Sequence, residues 1–135
     1  HHKSAHCNSR QMVKGVLGGS SSGVFRGLAY VYDKAEKTDA KQTNHNLLLS
    51  PKSKVNSIPQ LEIYEDDVKC SHGSTTGQID EEAIFYLRSR GISWMGAMEL
   101  MVKGFTNEVV DKVANDKFKS QIKQSLFKKM KEMIQ

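Results

Sequence analysis

Cys70 and His72 stand one residue apart in the run Val68-Lys69-Cys70-Ser71-His72. Its side chains alternate in character, as in a strand. Alternate strand side chains share a face, so the thiol and the imidazole would project together about 7 Å apart. Both are ligands for iron, zinc or copper(I), and Gly73 leaves room for a second backbone to approach. The spacing alone favours a plainer pair, a buried cysteine beside a hydrogen-bonded histidine, and it is not a zinc signature. A second group, His1, His2, His6 and Cys7, would complete a metal site with Cys70 and His72 only if the fold made all of them converge. Surface histidines or the remains of a tag are the simpler reading of that group.

Other candidates read more simply still. Gly18-Gly19-Ser20-Ser21-Ser22-Gly23 is followed by Val24 and Phe25. It lacks the Lys-Ser/Thr pair that a phosphate loop needs, so it reads as a turn between strands. Glu65-Asp66-Asp67 and Asp80-Glu81-Glu82 hold carboxylates that acid–base chemistry could use. The first reads better as a solvated corner and the second as helix-start charge. No serine stands in a hydrolase nucleophile motif.

The elements that must position these residues change type near residue 80. Before it come short strand-like runs: Val24–Tyr32, Gln42–Ser50 with a polar half and an apolar half, Gln60–Tyr64, and Val68–His72. Pro51 and Pro59 are expected at the edges of these runs, where proline is tolerated. No helical period separates them, which argues against a βαβ sheet and leaves a sandwich, a barrel or a stacked β-solenoid. After it, Asp80 caps a helix that Gly91 ends. A second helix is expected over Trp94–Val102, closed by Gly104, and a third from Thr106. After a break at Asn115-Asp116, the residues Phe118, Ile122, Leu126, Met130 and Met133 form a helical stripe. The expected organisation is 1–79 and 80–135.

The chain has 135 residues, 20 Lys+Arg against 15 Asp+Glu, and a formal net charge of +5. Residues 117–135 hold six lysines and one acid, so the rest of the chain is neutral overall. A chain that grips nucleic acid over its whole face would be basic in its body as well. The tail reads as a solvated flank around an apolar stripe that packs on the body or on a partner. No run approaches the ~18 apolar residues of a membrane span, and the opening residues have no apolar signal core. Two cysteines, Cys7 and Cys70, far apart in the sequence, do not suggest a disulfide framework.

The run Leu61–Glu82, with Cys70-Ser71-His72-Gly73 at its centre, resembles the SufB/SufD family of scaffold subunits of the SUF iron–sulfur cluster assembly system, on its SufD side. So do His6–Gln11, Lys14–Leu17, Val24–Gly27, Thr38–Asn44, Asn46–Ser50 and Phe85–Ile92. The resemblance covers about residues 6–110. It implies the last rungs of a right-handed parallel β-helix followed by a C-terminal helical domain, in a chain that is a C-terminal fragment of the family protein. It further implies a non-catalytic scaffold with no tightly bound cofactor. A transient iron–sulfur cluster would be assembled at the interface with a SufB homologue, with His72 as its ligand and Cys70 beside it. SufB chains differ at this motif. The SufC ATPase is expected on the helices, at Trp94, Met98, Met101 and Phe105. The implied compartment is a bacterial cytoplasm or a plastid stroma, with no nucleic-acid or membrane partner. Exposed rung edges would also allow a homodimer. The competing reading is a self-contained zinc protein built on Cys7, Cys70 and the histidines.

Overall fold

The computed structural model describes residues 1–134. Five strands of ten residues come first: β1 (Asn8–Leu17), β2 (Ser22–Val31), β3 (Asp39–Leu48), β4 (Lys54–Ile63) and β5 (Lys69–Gln78). They alternate between two sheets. The odd strands form one parallel sheet in the order β1-β3-β5, and β2 and β4 form a second parallel pair. Asn8 pairs with Asp39 and Asp39 with Lys69, while Ser22 pairs with Lys54. The chain therefore completes circuits of nearly equal length, returning each time to the same lateral position one strand further along.

The connections are short and locally determined. Gly18–Ser21 is a tight turn in which the Ser21 amide donates to the Gly18 carbonyl, and Gly19 has a positive φ of 58°. At the acidic corner, Glu65 accepts from the amides of Asp66, Asp67 and Lys34. This carboxylate closes a turn rather than waiting for a substrate. Pro51 lies in a turn, but Pro59 lies inside β4, opposite Gly27. The expectation that both prolines flank strands fails for Pro59. β4 is an edge strand, so one missing amide donor costs no ladder to a further strand. His2 is also built into the fold, bridging in parallel to Val31.

Parallel strands buried between layers usually carry continuous apolar runs. Here the enclosed face of β3 presents Ala40, Gln42, Asn44 and Asn46, and all four are buried. Their amides are joined in a network. Gln42 Nε2 donates to Gln11 Oε1 at 2.7 Å. Asn44 Oδ1 accepts from Asn46 Nδ2 at 2.7 Å and from Ser57 Oγ at 2.6 Å, and Ser57 Oγ accepts from Ser74 Oγ at 2.7 Å.

Three helices follow: α1 (Glu81–Ser89), α2 (Trp94–Val110) and α3 (Asp116–Ile134). Asp80 caps α1 by accepting from the amides of Glu82 and Ala83, and Gly91 follows it at φ 85°. Ser93 caps α2, and Asn115 accepts from the Phe118 amide at the start of α3. The helix expected to stop at Gly104 does not stop there. Gly104 lacks the positive φ that ends a helix, and α2 continues through it to Val110. Glycine inside a helix costs about 1 kcal/mol against alanine, which the packing of the flanking turns outweighs. Ile84, Ala97, Met98, Val102 and Met130 form the apolar core, against Val16, Leu47, Leu49 and Ile79 from the ends of the strand layers. The apolar stripe of α3 packs only in its second half. Met130 is buried and Phe127 touches the core, while Phe118 is 56% exposed and Leu126 is exposed as well. No described helix is long and apolar enough to cross a membrane.

Lys14 of β1 fastens α2 to the strands. Its side chain is only 8% exposed. Its Nζ donates to the Phe105 carbonyl at 2.8 Å, lies 4.3 Å from the centre of that ring, and pairs with Glu108. The hydrogen bond from Lys14, followed by its charge, holds the Glu108 carboxyl below the ordinary carboxylate range. A depressed folded-state pKa adds stability above the unfolded value, and that stability is lost as pH falls through the folded value. The contribution of this pair should therefore be present at neutral pH and fade once the pH falls below the ordinary range of a glutamate carboxyl. Glu108→Gln should be less stable than wild type at neutral pH, with the difference shrinking as the pH falls. Urea midpoints recorded across that range check this, and a pH-independent difference would show that the pair does not titrate with folding.

Candidate functional site

β5 is the last strand of its sheet, so one side of its backbone ladder has no neighbouring strand among the described residues. Parallel register carries side-chain direction from strand to strand. Cys70, His72, Ser74 and Thr76 pair with Ala40, Gln42, Asn44 and Asn46, so they share the inward direction of those buried residues. No further strand covers them among the described residues. Cys70 is half-buried and has a free thiol, and His72 is exposed. Ser74 and Thr76 continue the inner network, through Ser57 and Asn46. Cys70 and His72 thus stand on one face, as the strand spacing required, at an open end of the stack. The plainer expectation of a hydrogen-bonded histidine is not met, because His72 has no side-chain partner among the described residues.

The remaining histidines lie elsewhere. His2 bonds Ser9 Oγ at 3.0 Å, and burial, then the positive amino terminus, pushes its ring below the usual histidine range. His1 stacks on Tyr30, and His45 bonds Thr75 Oγ1 at 2.7 Å. His6 occupies a turn with a positive φ of 58°, and Cys7 directly precedes β1, two strands from β5. That separation is roughly 10 Å across two strand spacings. Among the described residues no three His, Cys, Asp or Glu side chains gather as a metal site. The self-contained zinc protein of Cys7, Cys70 and the histidines is therefore not assembled. Two soft ligands at an open edge can hold a metal group only with donors from another molecule.

The residues expected to meet an ATPase divide between core and surface. Met98 is 3% exposed and belongs to the core. Met101 is partly buried against it, and Phe105 lies under Lys14. Trp94 is 47% exposed and lines a shallow depression with Phe85 and Ile92. Sequence reasoning did not find the inner amides Gln42, Asn44 and Asn46. Their spacing of two, repeated one circuit later at His72, Ser74 and Thr76, was the available signal.

Comparison with known proteins gives a consistent family. The family model described as the SUF system FeS cluster assembly SufBD core domain matches residues 1–105. The chain is 46% identical to the iron–sulfur cluster assembly protein SufD of Escherichia coli over 121 residues, 90% of this chain and 29% of that protein. It is 39% identical to an iron–sulfur cluster assembly SufBD family protein of Synechocystis over 80% of this chain and 24% of that protein. It is 39% identical to the chloroplastic protein ABCI7 of Arabidopsis thaliana over 84% of this chain and 24% of that one. The chain thus spans less than a third of the length of these relatives.

A residue kept for chemistry and a residue kept for packing differ in what their loss does to stability. His72→Ala should leave the urea midpoint within the equivalent of about 0.5 kcal/mol of wild type, because the ring is exposed and unbonded. Asn44→Ala should cost about 1–3 kcal/mol, because it strands the hydroxyl of Ser57 and the amide of Asn46. Equal losses in the two variants would show that His72 is structural.

Proposed function

The chain belongs to the SufBD core family of the SUF system, and from that premise we propose that it forms part of a non-catalytic scaffold subunit for iron–sulfur cluster assembly. In this reading the strands are the last rungs of a right-handed parallel β-helix, and residues 80–135 are its helical domain. The alternation of strands between two parallel sheets at a near-constant repeat supports it. β5 would meet a SufB homologue, and His72 would offer its imidazole to the nascent cluster with Cys70 beside it. The observation that carries this role is the placement of both side chains on one face of an open edge strand.

The cluster is cargo, so weak holding is an advantage. A closed site with four ligands from one chain would retain its metal as a structural element. One or two soft ligands from each partner hold a cluster only while the partners stay together. Movement of the helices by the SufC ATPase would then loosen or tighten that interface, acting on two arrangements that nucleotide biases. The helices share a core with the strand ends at Val16, Leu47 and Ile79, which supports mechanical coupling between the two parts.

Two measurements test this. In the full-length protein within its complex, His72→Ala should lower cluster loading at least about tenfold, read from iron and sulfide content and visible absorption. Unaffected loading would sink the role given to His72. Trp94→Ala should weaken retention of the ATPase in a pull-down, whereas the buried Met98 should act only through stability. Undiminished retention in Trp94→Ala would move the contact elsewhere.

A further inference from the structure

A groove of about 380 Å³ lies where β1, α2 and α3 meet. It is on the β1 side of the sheet, two strands away from Cys70 and His72. Its walls are apolar: Val16, Val102, Leu126, Phe127 and Met130, with Met133 at one end. The volume is that of a small-molecule site, which typically measures roughly 300–1,000 Å³. Leu126 is 39% exposed although it belongs to the apolar stripe of α3, so the groove leaves part of that stripe uncovered. Thioether and leucine side chains line it, and they adapt readily to a flexible apolar chain.

The charge around the groove has one sign. Lys14, Lys103, Lys123 and Lys129 all line it, and no Asp or Glu does among the described residues. The lysines come from three different elements, β1, α2 and α3, so the basic flank of α3 alone does not account for them. Three of the four are committed to carboxylates that lie outside the lining. Lys14 pairs with Glu108, Lys123 donates to Asp111 at 2.9 Å, and Lys129 donates to Glu132 at 2.9 Å. Lys103 is the freest. Its Nζ comes no closer than 3.9 Å to Glu99, too far for a hydrogen bond. The same Nζ lies 4.6 Å from the centre of the Phe127 ring, which places this ammonium beside the apolar wall.

We propose that the groove binds a fatty-acid-like carboxylate, its chain laid along the Leu126, Phe127 and Met130 wall and its anionic group on Lys103. Burial of the chain would cover apolar surface that the helices leave open. A carboxylate on Lys103 would gain a charge-assisted hydrogen bond without displacing an existing one. The groove is walled by three elements and holds one molecule, so the ligand is a free amphiphile and not a bilayer surface. The site is separate from the proposed cluster ligands and does not depend on them.

Isothermal titration calorimetry of the full-length protein with sodium octanoate, octanol and octylammonium tests this. Octanoate should bind about tenfold more tightly than octanol, the effect of one hydrogen bond to a charged group, and octylammonium should bind more weakly than either. Lys103→Gln should weaken octanoate about tenfold and leave octanol unchanged. Leu126→Trp, which fills the groove from an exposed position, should abolish binding of both. The Lys103 side chain is 47% exposed, so Lys103→Gln carries the test alone if Leu126→Trp does not fold. Three outcomes overturn the proposal. One is the absence of octanoate binding, as when a second copy or another part of the polypeptide fills the groove. Another is equal affinity for octanoate and octanol, and the third is octanoate binding untouched by Lys103→Gln. None of these readouts involves a cluster, so they stand apart from cluster loading in His72→Ala.

Discussion

The parallel register of β3 with β1 and β5 is the constraint on which the rest of the structure depends. It lines up Gln11, Gln42 and His72 in one column and Ser9, Ala40 and Cys70 in the next. Side-chain direction alternates with a period of two, so a slip of one residue would turn every inner amide outward and aim Cys70 and His72 at the opposite face. Such slips are opposed twice. The backbone ladder runs the full length of the strands in each pairing, and Gln42 and Asn46 bond the side chains of their register partners Gln11 and Thr76. Polar filling therefore gives the stack something an apolar filling would not, since amide partners discriminate register by direction as well as by volume. Leaving one of those groups without a partner carries a corresponding cost.

The helical part works by different physics. Its core is apolar and modest in extent, with Met98, Val102 and Met130 gathered over the strand ends. One charged contact reinforces it, the Lys14 ammonium held between the Phe105 carbonyl and Glu108. Taking a lysine out of water is unfavourable unless its donors are met, and here a carbonyl, a carboxylate and an aromatic face all meet the same ammonium. The six lysines of residues 117–135 are mostly on the solvated side of α3. Lys131 instead lies 4.5 Å from the centre of the Phe127 ring, and Lys103 of α2 lies 4.6 Å from it. The net charge of the chain is thus the flank of an amphipathic helix whose apolar stripe reaches the core at Met130.

How much of this was legible in the sequence depends on which physical signal wrote it. Caps are local, so Asp80, Ser93 and the break at Asn115 were readable from residue type. The pairing of Cys70 with His72 on one face follows from strand geometry alone. The continuity of α2 through Gly104 was not readable, because a glycine inside a helix and a glycine ending one differ only in φ, which tertiary packing sets. Nor was the strand position of Pro59, whose tolerance depends on β4 being an edge. The inner amides were hidden for a related reason. Gln42, Asn44 and Asn46 look like a polar loop until their neighbours on the next circuit, His72, Ser74 and Thr76, are aligned with them. Burial of an amide is decided by partners that are distant in sequence.

The openness of β5 is best understood together with the enclosure just behind it. An edge strand with a free ladder and uncovered inner side chains is a liability for a chain that must remain alone, and this is the strand that carries Cys70 and His72. The residues one strand further in, on β3, are the reverse: buried and joined by hydrogen bonds, with Asn46 lying close against Gly15 of β1. Enclosed interior and open edge are therefore adjacent in the same columns of side chains. A ligand on such an edge needs no backbone rearrangement to meet a partner, because the strand below already fixes its direction. What the partner must add is the remaining coordination and the cover. On the proposed reading, assembly and release of the cargo then reduce to making and breaking one interface, while the ladder that orients His72 stays intact throughout.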